Sequence, residues 1–375
     1  MKIKVLHVEF NLRLYGGGKQ VCYLLRNLNP ELFENILVCP EGSDISRVKF
    51  MHCDTHTIEF NGNLDVFASK RILEVIEKTQ PDIIHIHSRH GADWWGGFAA
   101  SQSHIPAILT RRLEEAENLL GQLKYRYFDA VVSISNEVFR NTAKGLNEET
   151  LHRLIYPAVD VQEFAHPAEE DMRSWLARAY KVPAAHKIIA SFAQLIGHKG
   201  QADIILAFEK VVTAHDNVSC LLFGEGNQYD SYESLIKKCN LQDRIKLCGF
   251  TSDVTDLLAI VDIVVHPAHI EGLGSILLQA AACKKPVIAY NVGGVSEIVE
   301  HDKTGLLINM ADIDGLADAI ILLLDDENKA RKLAQNAYGC VVEKFAVKRM
   351  ISEFEALYRD VMDRKCQGIH SEHTK

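Results

Sequence analysis

Short apolar runs and amphipathic stretches alternate along the chain. "KIKVLHVEF" (Lys2 to Phe10) is rich in aliphatic and β-branched residues and predicts a strand. A glycine-rich turn follows, and then "KQVCYLLRNL", whose apolar spacing predicts a helix. "ENILVCP", "DIIHIHS", "IPAILT" and "DAVVSIS" are further strand candidates, and "DVFASKRILEVIEKTQ" reads as an amphipathic helix before Pro81. The pattern restarts after residue 165. "KIIASFAQL", "VSCLLFGEG", "RIKLCGF", "DIVVHP", "KPVIAY" and "TGLLIN" predict six more strands, most of them separated by helical stretches. Such alternation is the signature of βαβ units around parallel sheets covered on both faces.

The expected fold class is therefore α/β, with two doubly wound Rossmann-like domains. One spans 1–165, the other 166–349, and the helical segment 350–366 is expected to pack back on the first. "IYPAVDVQEFAHPAEED" is rich in proline and acids and fits a linker. The 375 residues favour two domains over one. A net charge of −9, with neither half basic, gives no general attraction to nucleic acid. The nine cysteines are scattered without a CxxC, as expected of reduced thiols in a cytoplasmic protein. The opening residues read as a strand rather than a signal peptide. No apolar run approaches the ~20 residues of a membrane span, so membrane contact is expected to be peripheral only.

Ligands of doubly wound folds bind outside the carboxyl ends of the strands, which with two such domains points to the cleft between them. Gly16, Gly17 and Gly18 lead from the first strand into a helix and let a phosphate approach free N–H groups. The G-x-G-x-x-G spacing of dinucleotide enzymes is absent, since Val21 stands at the third position, and "GEGNQY" also fails it. His85, His87 and His90 raise the question of zinc, but no acid or cysteine stands at ligand spacing, and no metal residue is assigned. Arg111 and Arg112 end a strand and suit either an anion or a solvated charge pair. Trp94, Trp95 and Phe98 suit the core better than a sugar-stacking surface. Lys199 beside Gly200 at a helix start reads as a phosphate lysine. Glu271 follows a strand, Gly272 and Gly274 open a turn, Ser275 begins a helix, and Gln279 lies eight residues beyond Glu271. Eight helical residues rise ~12 Å, enough to place Glu271 and Gln279 at two ends of one elongated ligand.

This order of features resembles the family 4 glycosyltransferases of the GT-B fold, strongest from "FAQLIGHKG" to "TGLLI". The resemblance implies a retaining, metal-independent transferase with a nucleotide-sugar as substrate rather than a cofactor. Lys199 matches the family's phosphate lysine and Glu271 the first acid of its Glu-x7-Glu element. Two positions depart from the pattern. Gln194 stands for the phosphate arginine, and Gln279 for the ribose-binding glutamate. The resemblance implies a donor site of Gly17, Gly18, Gln194, Lys199, Glu225, Phe250, Glu271, Gly272, Leu273, Gly274, Ser275 and Gln279, with Glu271, Lys199 and Arg111 carrying the chemistry. One of the paired arginines, Arg111 or Arg112, is expected to compensate for Gln194. "TRR" in place of the usual histidine resembles bacterial enzymes of lipopolysaccharide and other envelope glycans. Their acceptors are carbohydrates or lipid-linked glycans, met in the cytoplasm or at the inner membrane. Other GT-B chemistry (an epimerase or phosphorylase) and an inactive sugar-nucleotide-binding protein remain open alternatives.

Overall fold

The computed structural model describes residues 2–89, 91–112, 117–164 and 171–368. It divides into two compact units. Unit 1 holds the described residues up to Ala158 together with the helix Val347–Cys366, and unit 2 holds Val159–Ala346. Among the described residues no helix is long and apolar enough to cross a membrane. All nine cysteines are free.

Unit 1 is built on a seven-stranded parallel sheet. Its strands are β1 (Ile3–Val8), β2 (Phe33–Pro40), β3 (Cys53–Ile58), β4 (Ile83–Ile86), β5 (Ala107–Arg111), β6 (Ala130–Ser133) and β7 (Leu151–Leu154), in the order β3-β2-β1-β4-β5-β6-β7. Unit 2 carries β8 (Lys187–Phe192), β9 (Val218–Phe223), β10 (Ile245–Gly249), β11 (Ile263–His266), β12 (Val287–Tyr290) and β13 (Leu306–Ile308), in the order β10-β9-β8-β11-β12-β13. Every strand of β4, β6, β9, β11 and β12 is buried along its whole length, which is why these segments read as unbroken apolar runs.

Apolar side chains cover both faces of each sheet. In unit 1 one face packs Leu6, Val8 and Ile86 against Ile72, Ile76 and Phe128. The other packs Val5, Ile83 and Ile108 against Met350, Phe354 and Tyr358 of the helix Val347–Cys366. Trp95 packs on the first cluster and donates Nε1–H to the Asn63 carbonyl at 3.0 Å, whereas Phe98 is 40% exposed, against the expectation of a core position. In unit 2 Phe208, Ile204 and Val211 of the helix Gln201–Ala214 fill the largest cluster.

The two strand orders are the same to the point that matters for ligands. In each sheet the first strand of the unit lies beside its fourth, β1 beside β4 and β8 beside β11. The crossovers leave these neighbours in opposite directions. Their carboxyl ends therefore flank a topological switch point, where open α/β sheets bind ligands.

Candidate functional site

The loops that follow β8 and β11 are locked to each other. His269 donates its backbone N–H to the His198 carbonyl at 2.8 Å, and its ring Nε2 lies 2.7 Å from the Asp203 carboxylate, which also accepts from the Tyr290 hydroxyl. The fully buried Gln201 donates its amide to the Gln194 carbonyl at 2.9 Å. Gly200 has φ +75°, and a Cβ there would overlap the Pro267 carbonyl oxygen. Only glycine satisfies both the backbone and the close approach. These contacts fix the segment Gly197–Lys199 and so the place of the Lys199 side chain.

Lys199 Nζ donates to Glu271 Oε2 at 2.8 Å, and His266 Nε2 lies 2.8 Å from the same oxygen. Burial alone would raise the Glu271 pKa. The Lys199 charge and the His266 hydrogen bond outweigh it and hold the carboxyl far below the ordinary carboxylate range. With Glu271 ionised, Nε2 of His266 donates to it, and the buried Nδ1 has no partner among the described residues. Phosphate lysine and sugar acid were expected as separate groups, and here they form one pair. Sequence reasoning missed His266. Its signal was a histidine immediately before proline at the end of "DIVVHP".

The remaining unit 2 candidates also follow strand ends. Glu271 and the buried Gly272, Leu273 and Gly274 follow β11, and Gly274 (φ +92°) leads into the helix Ser275–Ala282. The N–H groups of Ser275 and Ile276 have no acceptor among the described residues, leaving a polar helix start. Gln279 is 8% exposed on that helix, and its amide has no partner among the described residues. Gln194 follows β8, the exposed Glu225 follows β9 and Phe250 follows β10. The glycines flanking Glu225 have a structural use: a Cβ at Gly224 or Gly226 would overlap the Ala193 or Leu195 carbonyl of the neighbouring loop.

In unit 1, Gly17 and Gly18 form the first turn of helix α1 (Gly16–Asn27). Arg111, expected to share the chemistry, is committed elsewhere. It is 6% exposed, and its Nη1 lies 3.0 Å from Glu117 Oε1, a carboxylate that also accepts from the buried Lys124 at 2.7 Å. Lys124 in turn holds Asp93 at 2.6 Å. The Arg111 guanidinium is thus held by a half-buried carboxylate in this network. Arg112 points the other way: its Nε donates to the His87 carbonyl at 3.1 Å, and its side chain runs beside Gly17.

His85 and His87 gather with His7, ring nitrogens within 4.8 Å of one another; His90 lies outside the described residues. The β1–β4 register sets His7 directly opposite His85. The rings hydrogen-bond already. His7 Nε2 faces Asn35 Oδ1 at 3.2 Å and must donate to it, so His7 Nδ1 accepts from His87 Nε2 at 2.9 Å. His85 bonds the hydroxyls of Tyr358 and Thr110 at 2.8 and 2.7 Å. Burial lowers all three pKa values, that of His7 to about 4, and keeps the rings neutral. The trio ties the helix Val347–Cys366 to the sheet.

Two family models match this chain: glycosyltransferase family 4 over residues 15–163, and glycosyl transferases group 1 over residues 176–339. N-acetyl-alpha-D-glucosaminyl L-malate synthase of Bacillus anthracis is 27% identical over 314 residues, 80% of each chain. A GDP-mannose-dependent monoacylated alpha-(1-6)-phosphatidylinositol monomannoside mannosyltransferase of Corynebacterium glutamicum is 30% identical over 222 residues, 56% of each. Among solved structures, Anabaena HepE in complex with UDP and glucose superposes with a TM-score of 0.83 at 19% identity, covering 96% of this chain and 100% of that one. Sucrose-phosphate synthase of Thermosynechococcus elongatus gives 0.81 with the same coverage. Two Rossmann-like sheets of this order, matched in turn by the two models, settle the family: the chain belongs to the family 4 glycosyltransferases of the GT-B fold.

Proposed function

We propose that the protein is a retaining transferase that moves a sugar from a nucleotide-sugar to a carbohydrate acceptor of the bacterial envelope. The observation that carries the reading is the Lys199–Glu271–His266 cluster at the β8/β11 switch point. Glu271 is held ionised and is suited to accept hydrogen bonds from sugar hydroxyls. Lys199 and the free N–H groups at Ser275 and Ile276 supply positive potential for a diphosphate without an added divalent ion. Gln279, a buried amide with no partner among the described residues, suits ribose hydroxyls. Unit 2 would thus bind the donor and unit 1 the acceptor. In the transfer the bond from C1 to the diphosphate oxygen breaks and a bond from C1 to the acceptor oxygen forms. The acceptor's proton passes to the departing phosphate.

The envelope assignment draws on the corynebacterial relative, named as a phosphatidylinositol monomannoside mannosyltransferase. The test is a donor panel of UDP-, GDP-, ADP- and CMP-sugars with an envelope-glycan extract, in the presence of EDTA. Product NMR should show the donor's anomeric configuration retained. Inversion, or a strict need for added metal, would refute the mechanism. Absence of any nucleotide-induced rise in melting temperature would favour a non-catalytic scaffold that binds no nucleotide, because a ligand at 100 times its Kd adds about 2.7 kcal/mol.

A further inference from the structure

In unit 2 the strands β8, β11 and β12 run parallel, so the loops carrying Lys199 and Glu271 share one end of the sheet and the starts of these strands share the other. At those starts lies a cavity of about 230 Å³, closed on its far side by the corner between the helices Ile313–Asp325 and Glu327–Lys344. Its apolar wall comes from Val261, Pro286, Leu323, Leu324, Ala330 and Ala334. Its charged lining sets four cations, Lys187, Lys284, Lys285 and Arg331, against two acids, Asp262 and Glu327. This local excess of positive charge stands out in a chain of net charge −9.

The two acids are already matched. Asp262 accepts the Ile188 N–H at 2.7 Å and pairs with Arg173 at 3.1 Å, and Glu327 pairs with Lys187 at 2.8 Å. Lys284 and Lys285 have no carboxylate at ion-pair distance among the described residues. Lys285 Nζ donates to the Ala259 carbonyl at 2.8 Å, which uses one of its three protons, and burial lowers its pKa. Lys284 Nζ lies 4.6 Å from the Tyr338 ring centroid. Lys284 also stands where a side chain is disfavoured. It follows the helix Ser275–Ala282 in the left-handed conformation, φ +53°, and the Lys285 N–H closes back on the Ala280 carbonyl at 2.8 Å. Glycine is the usual residue at such a turn. Attraction to the helix C-terminus does not require a lysine there, since Lys285 already supplies one. Lys284 thus sets a cation at the cavity against the preference of its own backbone.

We propose that this cavity binds a small amphipathic anion, an aromatic ring or short aliphatic chain bearing a carboxylate or phosphate. The apolar body lies on Leu323, Ala330 and Ala334, and the anionic head meets Lys284 and Lys285. An apolar cavity of about 150 Å³ suffices for one benzene ring, so a ring and its head group fit here together. A neutral ligand leaves the two lysines unmatched, and a bare inorganic anion leaves the apolar wall in water. The site lies at the opposite end of the strands from Lys199 and Glu271 and is independent of the transferase reading.

Calorimetric titration of the full chain with benzoate, phenyl phosphate, neutral benzyl alcohol and inorganic phosphate tests it. At least one of the two amphipathic anions should bind wild type, with benzyl alcohol and inorganic phosphate weaker by about tenfold or more. Lys285→Gln keeps a donor for the Ala259 carbonyl and removes the charge; it should weaken the anion about tenfold with unchanged circular dichroism. Lys284→Gly should weaken it about fivefold without lowering the melting temperature, because glycine suits the left-handed turn. Lys199→Met should bind it as wild type does. The proposal is overturned if neither amphipathic anion binds, if benzyl alcohol or inorganic phosphate binds as tightly, or if both lysine variants bind like wild type. It is also overturned if Lys199→Met abolishes the binding, because the anion would then occupy the other end of the strands.

Discussion

Each unit places an acid beside its switch point, Glu9 after the first strand of unit 1 and Glu271 after the fourth strand of unit 2, and the two acids are treated oppositely. In unit 2, Glu271 faces Lys199 and His266 and is held ionised. In unit 1, Glu9 is more deeply buried, bonded by Asn11 and Ser88 rather than by a cation, and its pKa is raised by burial. A paired acid keeps its charge and orients a ligand electrostatically. An acid buried among neutral donors is pushed toward its neutral form. The cations differ as well. Lys199 is tied to its acid, while of the two arginines at the end of β5 Arg111 pairs with Glu117 and Arg112 donates Nε to the His87 carbonyl. One topology thus carries one acid held charged and another pushed toward neutrality.

Removing the unit 2 acid should give the largest effect. Glu271→Ala leaves Lys199 and His266 without their partner, and sugar transfer in a product assay should fall by about 10²–10³-fold, the range seen when a single preorganised electrostatic group is lost. Near-normal transfer would dissolve the contrast between the units. In unit 1 the largest effect should be on stability. Lys124→Met leaves the buried Asp93 without its cation and Glu117 with Arg111 alone; urea unfolding should show a loss of about 3–5 kcal/mol.

Two glycines sharpen the comparison. Gly200→Ala forces a side chain into a left-handed backbone against the Pro267 carbonyl and should cost about 2–3 kcal/mol. Gly17→Ala meets Arg112 only at ordinary contact distance and should change stability by under about 0.5 kcal/mol. Equal losses in thermal unfolding would contradict the assignment of one glycine to fold and the other to ligand access. The smallest effect belongs to Gln279→Glu. Restoring a carboxylate at an unpartnered position should tighten nucleotide binding by about 1 kcal/mol, five- to tenfold, in titration.

Much of the fold was legible because most strands are buried on both faces and read as apolar runs. All six unit 2 strands fall where the pattern places them. Two unit 1 strands escaped, β3 ("CDTHTI") and β7 ("LHRL"). Each is an edge strand pairing on one side only, partly exposed, and so polar in composition. The unit 2 site candidates were legible as residues following strands. Their pairing was not, because the Lys199–Glu271 contact spans 72 positions and depends on how two loops lock. Arg111 and Arg112 look alike in sequence; alternation of side chains along an extended strand end sends them to different partners. Glu9 sits inside a strand-like run, and only its burial beside β4 and β5 marks it out.

The most direct test of the central claim is calorimetric titration of nucleoside diphosphates and their sugars into the wild-type chain and the Lys199→Met variant. The account predicts that one nucleotide series binds wild type and loses at least tenfold in affinity in the variant, whose fold stays intact by circular dichroism. Binding of equal strength in the two proteins, or none to the wild type, would contradict a donor site at the β8/β11 switch point.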